Sequence, residues 1–340
     1  MTTIQEVARH AGVSTATVSR VLNNHGSVNP DLVRRVRAAV DELAYQRNAV
    51  ARNLRRNQTS LWAVIVSDVG NPFFTGMVRG VEDVAQQRGC SVVLCNSDES
   101  TVKEADYIAV AAAERMAGVV ISAASPNTDV TPLLDLRIPV VAVDRSLPGA
   151  AVDTVLVDNR GAAEAATGHL VEMGYQRIAC VTGPPQAMTA SERLEGYQRA
   201  LRQQGRDVLP ELIRNADFRE RGGYDAMRSL LADSAPDAVF VTNNLMTVGV
   251  LRCLVQHGIR VPRDMGMVGF DEIPCADLIR PSLSTVAQPT YDMGRIAGQM
   301  LSAHSAAPNK EPETVVLRTS LNVRASSSRG PSQIRGLQKT

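Results

Sequence analysis

Arg20 lies in a stretch, Ile4-Gln-Glu-Val-Ala-Arg-His-Ala-Gly-Val-Ser-Thr-Ala-Thr-Val-Ser-Arg-Val-Leu-Asn23, whose residue types suit reading the edge of a base. A guanidinium carries parallel N–H donors that match guanine O6 and N7 as a fork. It reaches them only if its helix sinks into the major groove, and the small side chains of Thr15, Ala16 and Thr17 allow that approach. The elements that must hold Arg20 there are also legible. Ile4, Val7, Ala8 and Ala11 follow the i, i+3, i+4, i+7 stripe of an amphipathic helix. Gly12 supplies a left-handed helix end, and Ser14 or Thr15 can cap a second helix. Val18, Val21 and Leu22 form the inner face of that helix. A third helix starts at Asn29-Pro30-Asp31, as cap, first-turn proline and first-turn acid, with Val33, Val36, Val40 and Leu43 on its apolar face. The sequence predicts a helix-turn-helix, although the same polar face, taken alone, reads equally as a solvated surface.

Charge separates these readings. The chain has 340 residues and a net charge of only +1. Residues 1–60 hold nine Arg against four acids, residues 61–323 hold 23 Lys/Arg against 31 acids, and the end from Arg324 has three Arg, one Lys and no acid. A small basic head on an acidic body points to a nucleic-acid module joined to a part that does not touch nucleic acid.

Catalytic signatures do not appear in the sequence. It contains no GxGxxG after a strand, no GxxxxGK[ST], no GxSxG and no HExxH. His10, His25, His169, His257 and His304 have no metal-ligand spacing, and Cys90, Cys95, Cys180, Cys253 and Cys275 form no CxxC pair. No catalytic residue, metal site or cofactor is therefore expected, and a reducing cytosol suits the cysteines. Cys180 and Cys253 read as core residues and His169 as a packed or surface histidine. No apolar run reaches the ~20 residues of a membrane span, and the polar start from Met1 to His10 has no secretory h-region.

From Trp62 the pattern changes to short apolar runs alternating with helical stretches. Strands are predicted at Ala63–Ser67, Ser91–Cys95, Gly118–Ser122, Val140–Asp144, Thr154–Asp158, Ile178–Thr182, Ala238–Thr242 and Met265–Phe270. Helices are predicted at Phe73–Arg88, Arg160–Met173, Ser191–Gln204 and Leu245–His257. Continuous apolar strands of this kind are buried on both faces, and the βαβ alternation gives parallel sheets. About nine or more strands is too many for one sheet, so two doubly wound α/β subdomains follow. The Ser/Gly-rich, basic stretch Ser326–Thr340 is expected to be a disordered tail.

Residues 1–56 resemble the DNA-binding head of the LacI/GalR family of bacterial repressors, down to Val13-Ser-Thr-Ala-Thr-Val-Ser-Arg-Val-Leu-Asn23 and Ala49-Val-Ala-Arg-Asn-Leu54. The resemblance continues through Asn71-Pro-Phe-Phe74, Val143-Asp-Arg145, Val157-Asp-Asn159, Arg193-Leu-Glu-Gly-Tyr197, Thr242-Asn-Asn-Leu-Met246 and Val268-Gly-Phe-Asp271, covering about residues 2–325. It implies a head at 1–46, a hinge helix and linker at 47–60, and a body at 61–325 like the type I periplasmic sugar-binding proteins. The body would divide into an N-subdomain of about 61–158 plus 288–316 and a C-subdomain of about 159–287 plus 317–325. It further implies DNA contacts from Thr3, Ser14, Thr15, Ala16, Thr17, Arg20 and Asn23. In the hinge Asn48, Ala51 and Leu54 would contact DNA, with Leu54 as a minor-groove wedge. Effector contacts would come from Phe73, Asp144, Arg193, Phe218, Asn243 and Asp271. Arg193 and Asp271 suit vicinal hydroxyls, and Phe73 or Phe218 can stack on a sugar ring; Phe74 is assigned to packing. Two departures stand out: Arg47 replaces the family's usual proline before the hinge, and Asn244 stands where the family usually has aspartate.

The reading that results is a cytoplasmic transcriptional regulator, most simply a repressor. It binds a palindromic operator in double-stranded DNA as a homodimer and answers to a sugar-like effector. Dimer faces are expected to include Val248, Leu251, Val255 and Leu278, because the tail lacks the apolar heptads of a tetramerising coiled coil. Two rivals remain: a doubly wound enzyme with an accessory basic head, which lacks any catalytic constellation, and an exported sugar-binding protein, which needs a signal peptide and explains no basic head.

Overall fold

A computed structural model describes residues 2–22, 28–45, 58–274, 276–306 and 311–329. The chain divides near Gln58 into two units.

The first unit is three helices, α1 (Ile4–Ala11), α2 (Thr15–Leu22) and α3 (Pro30–Glu42). Local capping fixes where each begins. Thr3 closes a capping box with Glu6, whose carboxylate accepts from the Thr3 amide at 2.7 Å. Gly12 ends α1 at φ 63°. Arg35 of α3 donates to the carbonyls of Ala11 and Gly12 at 2.6 and 3.2 Å, which ties the turn to the third helix. Of the two cap candidates before α2 it is Ser14 that serves, accepting from the Thr17 amide at 3.1 Å. Asn29 caps α3 by accepting from the Asp31 amide at 2.8 Å. The core is made of small side chains, Val7, Ala8, Ala11, Val18, Val21, Val36 and Ala39.

The second unit holds two six-stranded sheets. The chain lays down β1 (Leu61–Val66), α4 (Pro72–Gln87), β2 (Ser91–Asn96), α5 (Thr101–Ala113), β3 (Gly118–Ile121), α6 (Thr131–Asp135), β4 (Val140–Val143) and β5 (Asp153–Val157). It then crosses to form α7 (Asn159–Glu172), β6 (Ile178–Thr182), α8 (Met188–Gln203), β7 (Ile213–Asn215), α9 (Glu220–Asp233), β8 (Ala238–Val241), α10 (Asn244–Gln256), β9 (Gly266–Phe270) and β10 (Ser284–Ala287). A second crossing returns it to α11 (Thr290–Ala306) and β11 (Thr314–Leu317), and a third places β12 (Ser320–Asn322). The sheet orders are β11-β5-β4-β3-β1-β2 and β12-β10-β9-β8-β6-β7. Every pairing is parallel except β10 with β12. In each half the order reverses at the first strand, β1 or β6. That switch point leaves a crevice beyond the C-terminal strand ends.

The central strands are buried on both faces, as their continuous apolar runs require, with Val64, Ile65, Val120, Val239 and Phe240 fully enclosed. Cys180 and Cys253 are core residues. His169 is buried on α7. Among the described residues no helix is long and apolar enough to cross a membrane.

The tail expectation needs correcting. Residues 325–327 form a 3₁₀ turn with Ser326 and Ser327 buried. Arg329 lies over the Tyr175 ring at 4.0 Å and donates to the Gly174 carbonyl and to Asp237. The serines are there for hydrogen bonds: Ser326 Oγ donates to the Met267 carbonyl at 2.7 Å, and Ser327 Oγ bonds His169 Nε2 at 2.8 Å. Residues 330–340 lie outside the described ones.

Candidate functional site

The residues that follow the parallel strands converge on one cleft. Ser67 follows β1, Asp144 and Arg145 follow β4, Asn243 follows β8, Asp271 follows β9 and Gln288 follows β10; α4 contributes Phe73 and α8 contributes Arg193. All six sequence-predicted effector residues, Phe73, Asp144, Arg193, Phe218, Asn243 and Asp271, line this cleft. The cavity these side chains enclose is small, about 40 Å³.

Backbone strain is concentrated here. Nine described non-glycine residues have positive φ, and Asp144 (67°), Phe218 (63°), Asp271 (70°), Asp98 (56°) and Glu99 (57°) all stand at or beside the cleft. Left-handed backbone costs an L-residue free energy, and its clustering marks a functional constraint. Gly183 makes room for one of these turns, since a Cβ on it would sit 2.2 Å from the Phe218 ring.

Charges in the cleft are paired and almost dry. Arg193 donates from Nε to Asn159 at 2.8 Å and from Nη1 to the Thr242 carbonyl at 2.8 Å, and its guanidinium lies 3.9 Å over the Phe270 ring. Asp271 stands 3.9 Å from Arg193 Nη1 and accepts from Gln288 Nε2 at 2.5 Å. Arg145 is gripped by both carboxylate oxygens of Glu99 at 2.7 and 2.8 Å. Burial raises the carboxyls of Asp144 and Asp271 above their ordinary range, with the nearby arginines opposing that shift only in part. Burial also lowers Arg193. Sugar hydroxyls can replace the lost water by donating to the carboxylates and accepting from the guanidinium groups. Ser67 Oγ, Arg145 Nε and Gln288 Oε1 are buried without a hydrogen-bond partner. Such groups are rare in native structures, and here they line a cavity.

Several details differ from the sequence reading. Phe74 packs in the core yet also lines the cleft beside Phe73, their rings edge-to-face at 4.9 Å, so packing is not its sole position. Asn243 spends its side-chain oxygen capping α10, accepting from the Met246 amide at 2.8 Å. Asn244 reaches across the cleft, donating to Asn71 Oδ1 at 2.8 Å, and Asn71 itself caps α4. Arg145, Gln288, Ser67, Glu99 and Arg219 line the cleft and were not predicted. The signal for Arg145 was its place beside Asp144 in the quoted Val143-Asp-Arg145. Among the described residues no group of His, Cys, Asp and Glu is arranged to hold a metal ion.

On the helical unit, Ser14, Thr15, Ala16 and Arg20 are exposed along one side of α2 and Thr17 is half-buried, its hydroxyl 3.0 Å from that of Ser14. Thr3 is exposed, with its hydroxyl committed to the α1 cap. Asn23, Arg47, Asn48, Ala51 and Leu54 lie outside the described residues. Val255 and Leu278 are 76% and 67% exposed, whereas Val248 and Leu251 pack partly against the core.

Residues 3–48 match the family model of bacterial regulatory proteins, lacI family, and residues 167–327 match a periplasmic binding protein-like domain. The ribose operon repressor of Halalkalibacterium halodurans is 37% identical over 305 residues, 88% of this chain and 89% of that protein. The solved structure of the lac repressor dimer bound to operator and the anti-inducer ONPF superposes with a TM-score of 0.85 at 26% identity, over 96% of this chain and 99% of that one. A LacI family transcriptional regulator from Enterococcus faecium, with bound ribose, gives a TM-score of 0.72 at 29% identity, over 79% and 98% of the two chains. The chain belongs to the lacI family of bacterial regulatory proteins and is a DNA-binding transcriptional regulator.

Proposed function

We propose that this regulator is a repressor that binds a palindromic operator as a homodimer and is controlled by an uncharged sugar in the cleft, with ribose as the first candidate. The observation that carries this reading is the cleft itself, with aromatic rings, paired carboxylates and arginines, and three buried polar atoms that make no hydrogen bond. Its lining holds five acids (Asp68, Glu99, Asp144, Asp217, Asp271) against three arginines (Arg145, Arg193, Arg219), a balance of −2. That excess disfavours a sugar phosphate and suits a polyol whose hydroxyls both donate and accept. The name of the Halalkalibacterium relative and the ribose bound to the Enterococcus neighbour point to the same sugar.

In this reading Thr3, Ser14, Thr15, Ala16, Thr17, Arg20 and Asn23 meet the operator together with the hinge residues Asn48, Ala51 and Leu54. The exposed Val255 and Leu278 contribute to the dimer face. The protein performs no catalysis and works in the cytoplasm, where the DNA is. Two heads on one palindrome are needed because a single small head buries only about 600–1,000 Å² against DNA.

Calorimetric titration of D-ribose and ribose 5-phosphate into the full chain tests the effector. Saturable binding of ribose, weaker binding of its phosphate, and loss of ribose binding in Asp271→Ala are expected. Tighter binding of the phosphate, or an unchanged Asp271→Ala, would show that the cleft has been misread.

A further inference from the structure

Two carboxylates leave one turn for opposite halves of the cleft. Asp98 and Glu99, between β2 and α5, take left-handed φ values of 56° and 57° in succession. Glu99 turns inward and holds both Nη atoms of Arg145, which belongs to the same half. Asp98 meets the other half, accepting from Arg219 Nη2 at 2.5 Å, while Asp68 stands 3.6 Å from Arg219 Nη1. Arg219 adjoins Phe218, whose ring lies 5.9 Å from the Arg145 guanidinium. A strained pair from one half thus meets a pair from the other, and Arg145 between them lines the cavity with its Nε 3.6 Å from the Asp144 carboxylate.

We propose that Asp98 and Arg219 form a closure clasp for the cleft, and that Glu99 positions Arg145 toward whatever the closed cleft contains. The clasp rests on reading this cleft as the effector site. Separation of the two halves pulls Arg219 off Asp98 and Asp68 but leaves Glu99 on Arg145, because those two move together. The clasping side chains are 45% and 42% exposed, so their ion pair is weak and screened by salt. A weak latch fits a cleft that must reopen. It adds a bond present only in the shut state, and a ligand that favours the shut state gains from it.

Asp98 does not line the cavity, so it separates a clasp from direct ligand contact. The variants are Asp98→Asn, which keeps a residue tolerant of left-handed backbone, Arg219→Gln, and the double variant, each in the full chain. D-ribose is titrated by calorimetry at low and high salt. Each single change is expected to weaken ribose binding about two- to fivefold, with the double variant no weaker than the worse single one. Added salt should weaken the unmodified chain more than the variants. Unchanged affinity in Asp98→Asn, losses that multiply in the double variant, or equal salt sensitivity would overturn the clasp. Amide exchange without ligand supplies an independent reading: residues 97–100 and 217–220 should exchange faster in both single variants, and unaltered exchange would overturn the proposal. If ribose does not bind the unmodified chain at all, the effector assignment fails and the exchange result alone decides the clasp.

Discussion

Arg20 illustrates how the fold presents a single side chain for the base-reading role proposed for it. It stands exposed near the end of α2, on a helix started by the Ser14 cap and packed on its other side through Val18 and Val21. Arg20→Ala should cost about 1–3 kcal/mol of binding to the selected duplex and relax preference at one base pair per half-site. Parallel titrations with a selected and a random duplex check this; an equal loss on both would make Arg20 a phosphate contact. In the cleft, the family resemblance was enough to name six lining side chains. It did not reveal Glu99 on Arg145 or Asn244 on Asn71, because those pairings span 46 and 173 residues and arise only once the sheets form. The same distance hides why Asp144 and Asp271 hold their protons more tightly than usual, since burial there is a property of two halves meeting.

Strands with an unbroken apolar run and long amphipathic helices were legible, and short or alternating edge strands were not. β1, β3, β4, β6 and β8 sit within about two residues of their predicted limits, whereas the edge strand β7 has three residues and β11 alternates between exposed and half-buried side chains. The end of the chain shows why composition misleads. Serines at 326 and 327 are polar in sequence yet buried, where they satisfy the Met267 carbonyl, the Ser284 amide and hydroxyl, and His169. Burial holds the His169 imidazole below its ordinary value. The unfolded chain therefore binds more protons than the folded one between the lowered value and about 6.5, and stability falls as pH drops through that window. Urea unfolding at about pH 7.5 and about pH 5.5 should show this loss in the unmodified chain and a smaller one in His169→Gln. An equal loss in both would remove His169 from the account.

At the scale of the whole molecule, three chain crossings join two sheets whose C-terminal strand ends face a shared cleft. Closure then concerns two bodies connected by short segments at 158, 288–289 and 318–319. A ligand can move such an equilibrium only by binding one arrangement better than the other, and reciprocally any DNA preference between arrangements changes ligand affinity by the same factor. In the proposed reading, the head and the cleft are linked through that coupling. The most direct measurement takes the duplex enriched from a random pool by the full chain and compares its affinity with and without D-ribose. The account predicts a palindromic duplex, bound by a dimer, whose affinity changes about 5- to 150-fold when ribose saturates the cleft, with no such change in Asp271→Ala. A duplex without symmetry, or an affinity that ribose leaves untouched although it occupies the cleft, would contradict it.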